Sequence, residues 1–163
     1  TTELDLESTN ITDISPLKEL KHLKELDLES TDVVILSPLQ GLTELRKLSL
    51  WGTNVSDLSP LKSLKNLREL DLRNTNVSDL SPLVHLQNLR ELDISYTEVS
   101  DLSPLKHVKS LNVLWFEHTN VSDVSPLRNL PDLKEVLLEG TNVSRSSETI
   151  HLLRKRGVRF YGI

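Results

Sequence analysis

Apolar residues recur along this chain at a fixed interval. Leu23, Leu45, Leu67, Leu89, Leu111 and Leu133 stand 22 residues apart, as do Pro16, Pro38, Pro60, Pro82, Pro104 and Pro126. The shared unit reads L-x-x-L-x-L-x-x-T-x-V-S-D-L-S-P-L-x-x-L-x-x, counted from its leading Leu as position 1. A period of this length predicts a solenoid, because one such unit can bury its apolar edge only against its neighbours.

Within the unit two patterns alternate. Apolar residues at position 4 (Leu4, Leu26, Leu48, Leu70, Leu92, Leu114, Val136) and position 6 (Leu6, Leu28, Leu50, Leu72, Ile94, Phe116, Leu138) predict a short half-buried strand. The following Ser-Pro-Leu predicts a turn of helix: Ser59 is placed to cap it, and Pro60 at its start gives up no needed hydrogen bond. With Leu61 and Leu64 three apart and few residues to spare, a 3₁₀ turn fits better than a long α-helix. Each coil is therefore a strand on one face and a tight turn on the other, and the coils stack into a curved parallel sheet.

The ends break the pattern. "SSETIHLLRKRG" from Ser146 predicts an α-helix, capped by Ser146 or Ser147, with basic residues in its last turn and Gly157 to end it. "VRFY" puts Val158 and Phe160 one 22-residue period after Val136 and Leu138, which predicts an eighth strand. Residues 1–145 thus form seven strand units and 146–163 a capping helix and strand. At the other end Leu4, Leu6 and Ile11 face an open strand edge, expected to be covered by a preceding segment or a partner. The chain has no Met, so it is expected to be a piece of a larger protein.

The L-x-x-L-x-L frame resembles the leucine-rich repeats, and the D-L/I-S-P-L turn is similar to that of the 22-residue class in bacterial internalins. The resemblance covers about residues 1–144. It implies an α/β leucine-rich-repeat solenoid, with the parallel sheet on the concave face and 3₁₀ turns on the convex face. It also implies a secreted or surface-exposed adhesion role and a bacterial source. One departure is regular: the family's Asn at position 9 is Thr at Thr9, Thr31, Thr53, Thr75, Thr97, Thr119 and Thr141. A ladder of Thr hydroxyls is expected to do the work of an Asn ladder.

In a leucine-rich repeat, positions 3, 5 and 7 point to the concave face and position 8 lies at its rim. Here position 3 reads Glu3, Glu25, Lys47, Glu69, Glu91, Val113, Glu135, and position 5 reads Asp5, Asp27, Ser49, Asp71, Asp93, Trp115, Leu137. Position 7 reads Glu7, Glu29, Trp51, Arg73, Ser95, Glu117, Glu139. The face is acidic, although a basic column at position 2 (Lys24, Arg46, Arg68, Arg90, Lys134) can neutralise part of it. Both Trp residues (Trp51, Trp115) and both Tyr residues (Tyr96 at the rim, Tyr161 on the last strand) fall on this surface. The two Trp are three repeats apart, roughly 14 Å at strand spacing, which suits a protein surface better than a small ligand.

Charge and composition narrow the rest. A formal net charge of −5 argues against general nucleic-acid binding. It hides a gradient: −7 over residues 1–44 and +4 over residues 145–163. No Cys is present, so no disulfide or thiolate metal site forms, and no apolar run is long enough for a membrane helix. The turn carboxylates Asp57, Asp79, Asp101 and Asp123 read as turn caps rather than Ca²⁺ ligands, because Ile35 interrupts their row. His85 and His107 share a repeat position but lack a third ligand. The sequons at Asn10, Asn54, Asn76, Asn120 and Asn142 arise from the repeat itself and carry little information on glycosylation. No phosphate loop and no nucleophile with a His partner is present, so neither catalysis nor a cofactor is expected.

The resulting expectation is a non-enzymatic module that binds a protein partner, one with basic character. The residues are Trp51 and Trp115 as anchors, Arg73 as a forked donor to a partner carboxylate, and Tyr96, Lys47, Asp71, Asp93, Glu117 and His118 around them. Two alternatives stay open: a structural spacer in a larger protein, and a carbohydrate-binding face with a Trp stacked on a sugar ring. The oligomeric state is left open.

Overall fold

Alternating apolar and polar residues at positions 3 to 5 form eight three-residue strands in one parallel sheet, ordered β1 to β8 along the chain. They are β1 (Glu3–Asp5), β2 (Glu25–Asp27), β3 (Lys47–Ser49), β4 (Glu69–Asp71), β5 (Glu91–Asp93), β6 (Val113–Trp115), β7 (Glu135–Leu137) and β8 (Arg159–Tyr161). The computed structural model describes all residues, 1–163. From β1 to β7 each residue pairs with the one 22 further on, so every repeat position becomes a column across the sheet. A 3₁₀ turn beginning at the Ser of each Ser-Pro-Leu returns the first six coils, at Ser15, Ser37, Ser59, Ser81, Ser103 and Ser125.

Between the strands and the turns lies one continuous core of Leu, Ile and Val, in which Phe116 is the largest wholly buried side chain. Burying each Leu contributes about 2 kcal/mol, and the periodic sequence repeats that contribution coil after coil. Leu4, Leu6 and Ile11 of the first coil are half-buried against that core.

The turn chemistry differs from the sequence expectation in two respects. The Ser of Ser-Pro-Leu opens the 3₁₀ turn rather than capping it, and makes no side-chain cap bond. The capping acceptor is the Asp two residues earlier, in the turn-cap role expected of these carboxylates: Asp57 Oδ1 accepts the Ser59 N–H at 2.9 Å, and Asp13, Asp79, Asp101 and Asp123 do the same for their serines. The Thr hydroxyls likewise build no coil-to-coil ladder. Each donates to the carbonyl three residues back in its own coil, as Thr53 does to Leu50 at 2.7 Å and Thr97 to Ile94 at 2.6 Å. A hydroxyl on a short stem reaches its own turn, and backbone bonds such as Asn76 N–H to Val55 O, 3.0 Å, join the coils there.

Position 8 lies in the left-handed region in every full coil, at Ser8, Ser30, Asn74, Tyr96, His118, Gly52 and Gly140, with φ between 49° and 71°. This conformation turns the chain out of the sheet while its N–H still reaches the next coil. Ser30 donates to Trp51 O at 2.8 Å and Tyr96 to Glu117 O at 2.8 Å. Gly and Asn adopt it readily; an aromatic residue does so at a cost.

At the C-terminal end α1 (Glu148–Lys155) replaces the 3₁₀ turn, with Ser147 as its N-cap residue and Gly157 at φ 91° after it. Arg156 secures it by donating to the carbonyls of Arg128 and Leu130, at 2.6 and 2.7 Å. The α-helical return needs two residues more than a 3₁₀ return. The partner of Val136 is therefore Phe160, 24 residues on, and not Val158. A slip of two keeps side chains on their faces, so Arg159 and Tyr161 still join the concave surface.

Candidate functional site

The concave sheet presents the columns at positions 3 and 5, and the chain leaving each strand adds positions 7 and 8. The carboxylates at position 5 have a structural task. Asp5, Asp27, Asp71 and Asp93 each accept the N–H two residues on, at 2.9 to 3.0 Å, which closes the strand end. One oxygen of each is thereby used within the chain. In β3 this position is Ser49, whose buried Oγ has no hydrogen-bond partner.

Arg73 sits at the centre of the face. Its Cζ lies 4.2 Å from the Trp51 ring centre. Its Nη2 is 2.6 Å from Asp71 Oδ2 and its Nε 3.2 Å from Asp93 Oδ2. The fork expected to meet a partner carboxylate is closed on Asp71 and bridged to Asp93 within this chain. Lys47 is also engaged, 3.2 Å from Glu69. Asp93 is buried, and burial pushes its carboxyl above the ordinary Asp range despite the hydrogen bonds from Ser95 and the charge of Arg73. Glu29 is raised as well, first by burial and then by the charges of Asp27, Glu7 and Asp71.

Trp115 replaces the position 5 Asp in β6 and is half-buried. Its indole N–H donates to Glu135 Oε1 at 3.3 Å, and Arg159 holds the other Glu135 oxygen at 3.4 Å. The ring is therefore set in place by two strands that the sequence columns did not link to it. Glu117 is half-buried, its N–H donated to Ser95 Oγ at 3.1 Å.

At the rim Tyr96 and His118 stack, ring centroids 4.8 Å apart. Tyr96 is 54 % exposed and both residues have left-handed backbone. Beyond His118 comes Gly140, where any Cβ would overlap the His118 ring. Sequence reading named both aromatic residues but missed their stacking and their backbone. The Gly at positions 52 and 140 and the Asn at 74 were the available signal.

The structure thus gathers Trp51, Arg73, Asp71 and Asp93 into one network and Tyr96 with His118 into a second. Lys47 and Trp115 both line a shallow hollow of about 280 Å³ that runs along the sheet from the coil of Asp27 to that of Trp115. Glu69 and Glu91 line the same hollow. Elsewhere Asp5, Glu7 and Asp27 bring three carboxylates within 4.8 Å of one another, in a largely exposed position. Val34 and Ile35 form a small exposed apolar pair where four other repeats carry Ser-Asp. No helix is long and apolar enough to cross a membrane.

Comparison with known proteins supports this architecture. The family described as "Leucine Rich repeats (2 copies)" matches residues 43–85 and 65–107. No curated protein matches by sequence. Among solved structures, internalin C2 of Listeria monocytogenes shares 37 % identity over 92 % of this chain and 66 % of its own, with a TM-score of 0.88. A second internalin of that organism, inlF, shares 26 % identity over 98 % of this chain and 53 % of its own, again with a TM-score of 0.88. A plant peptide-hormone receptor solved in complex with RGF2 shares the fold, at 18 % identity, 97 % and 27 % coverage and a TM-score of 0.80. The chain therefore spans just under two thirds and about half of the two internalins it resembles.

Proposed function

Because this chain is a leucine-rich-repeat protein of the internalin-like kind, we propose that it is a non-enzymatic recognition module that binds a protein partner on its concave face. The observation that carries the reading is the distribution of the aromatic residues. Trp51, Tyr96, Trp115 and Tyr161 are all the Trp and Tyr in the chain, and all lie on the concave face or its rim. Three of them are among the chain's few exposed large hydrophobic side chains. The core does not need them, since Leu, Ile, Val and Phe116 fill it.

Aromatic residues on a rigid sheet bury large areas with little loss of side-chain freedom, which is why they dominate interface hot spots. Trp51 is braced by Arg73 and Trp115 by Glu135, so both rings are already set for contact before a partner arrives. The internalin resemblance favours a bacterial source and a secreted or surface-exposed setting. The plant receptor, whose structure holds a peptide hormone, illustrates a partner carried on the same fold.

The test is affinity capture with the wild-type chain and with a Trp51→Ala/Trp115→Ala double variant. The expected result is a captured protein that the double variant loses. A double variant that retains every captured protein at unchanged affinity would refute the concave-face reading.

A further inference from the structure

The concave face already contains one worked example of guanidinium binding. Arg73 lies against the Trp51 ring while two position 5 carboxylates hold it: Asp71 through its fork, at 2.6 to 3.1 Å, and Asp93 at 3.2 Å. An aromatic wall beside paired carboxylates suits this cation, because guanidinium is planar, weakly hydrated and forked.

One strand further along, an aromatic ring and an unpaired carboxylate, Glu91, again lie on neighbouring strands. Asp93 is paired across the sheet with Trp115, and Glu91 with Val113. All four line the hollow of about 280 Å³, and the indole is locked by its bond to Glu135. The charges around the hollow do not balance. Asp27, Glu29, Glu69, Asp71, Glu91 and Asp93 line it, against Lys47 on Glu69 and Arg73 on Asp71 and Asp93. Asp27, Glu29 and Glu91 have no ion pair within 4.0 Å. The buried Ser49 Oγ at the far end also lacks a partner.

A metal ion fits this hollow poorly. The three carboxylates close enough together to hold one are Asp5, Glu7 and Asp27, of which only Asp27 lines the hollow, and the hollow's far wall is apolar, made by Val113 and Trp115. An organic cation suits both walls.

We propose that the β5–β6 end of the hollow is the seat for an arginine side chain of the protein partner, stacked on Trp115 and held by Glu91. The proposal rests on the concave-face reading and deepens it, since it assigns the partner's chemistry. Glu29, which also lines the hollow, is raised first by burial and then by the neighbouring carboxylates Asp27, Glu7 and Asp71.

The experiment is an NMR titration of the ¹⁵N-labelled chain with the peptides acetyl-Gly-Arg-Gly-amide and acetyl-Gly-Glu-Gly-amide at moderate salt. The arginine peptide is expected to give saturable shifts at the Trp115 indole N–H and at the Glu91, Asp93 and Val113 amides, and the glutamate peptide none. Trp115→Leu, which installs the residue β7 carries at this position, is expected to weaken binding about five- to tenfold. Glu91→Gln, at an exposed site, is expected to weaken it about threefold. The proposal is overturned by an absence of saturable shifts, by equal shifts from both peptides, or by wild-type affinity in both variants. These results separate the two readings. Arginine titration can fail while the double variant still loses its captured protein, which leaves recognition standing and removes the seat. If capture survives the double variant, the concave-face reading falls whatever the peptides do.

Discussion

Tyr96 and His118 stack with their ring centroids 4.8 Å and their planes 23° apart, although both residues have a backbone conformation that side chains disfavour. Left-handed backbone costs a bulky residue roughly 1–2 kcal/mol, whereas an aromatic pair returns about 0.5–1.5 kcal/mol. Stability therefore does not explain the pair. Replacing both with Asn, the residue at Asn74 in the same column, is expected to leave the thermal midpoint within about 3 °C of wild type or to raise it. A fall of about 10 °C in differential scanning calorimetry would mean that the stack is structural instead.

Gly140 makes that stack possible. Its φ of 71° already disfavours a side chain, and a Cβ there would meet the His118 ring. Gly140→Ala is expected to cost about 1–2 kcal/mol in urea denaturation and to abolish the ring-current shifts between Tyr96 and His118. The same change at Gly52, also at φ 71° but with Ser30 no closer than 3.5 Å, is expected to cost only the backbone part, about 1 kcal/mol.

The two concave ion pairs should differ in worth. Lys47 and Glu69 are about half exposed, so Lys47→Ala is expected to change stability by less than about 0.5 kcal/mol. Arg73 faces Asp93, whose side chain is 9 % exposed, and its removal leaves that carboxylate without a cation. Arg73→Ala is expected to cost about 2 kcal/mol, between the exposed and the fully buried cases. Equal effects for the two substitutions would contradict the network drawn around Arg73.

The carboxylates should titrate in opposite directions. Bonds from the Ser15 hydroxyl and N–H lower Asp13, and bonds from the Ser59, Ser103 and Ser125 N–H and hydroxyl groups lower Asp57, Asp101 and Asp123. A depressed folded value means that their contribution is present above the unfolded value of 3.8 and is lost as pH falls through the folded value. Asp93 is raised, so its charging opposes folding as pH rises from 3.8 through its folded value. Carboxyl-detected NMR should place Asp57, Asp101 and Asp123 below 3.8 and Asp93 above it. Coincident midpoints would refute both assignments.

Much of the fold was legible because the interval of 22 residues is also the sheet register, so counting from Leu23 or Pro60 locates every column. That count failed only where the return changed type. Substituting α1 for a 3₁₀ turn moved Phe160 opposite Val136, and nothing in "VRFY" itself records the extra two residues. The site was legible as columns and not as pairs. Arg73 read as a free donor because its partners, Asp71 two residues before it and Asp93 on the next strand, are set by side-chain reach and not by the column it occupies. For the same reason Glu135, one residue of an acidic column, gave no sign that it orients Trp115.

The most direct test of the central claim compares one captured partner against three chains: wild type, Trp51→Ala/Trp115→Ala, and Val34→Ser/Ile35→Asp. The last restores the repeat's own residues at the one other exposed apolar pair and leaves the concave face untouched. With two hot spots removed, calorimetric affinity is expected to fall by about 100-fold or more in the concave variant and to stay unchanged in the other. Wild-type affinity in the concave variant, with binding lost in the Val34/Ile35 variant, would contradict the claim.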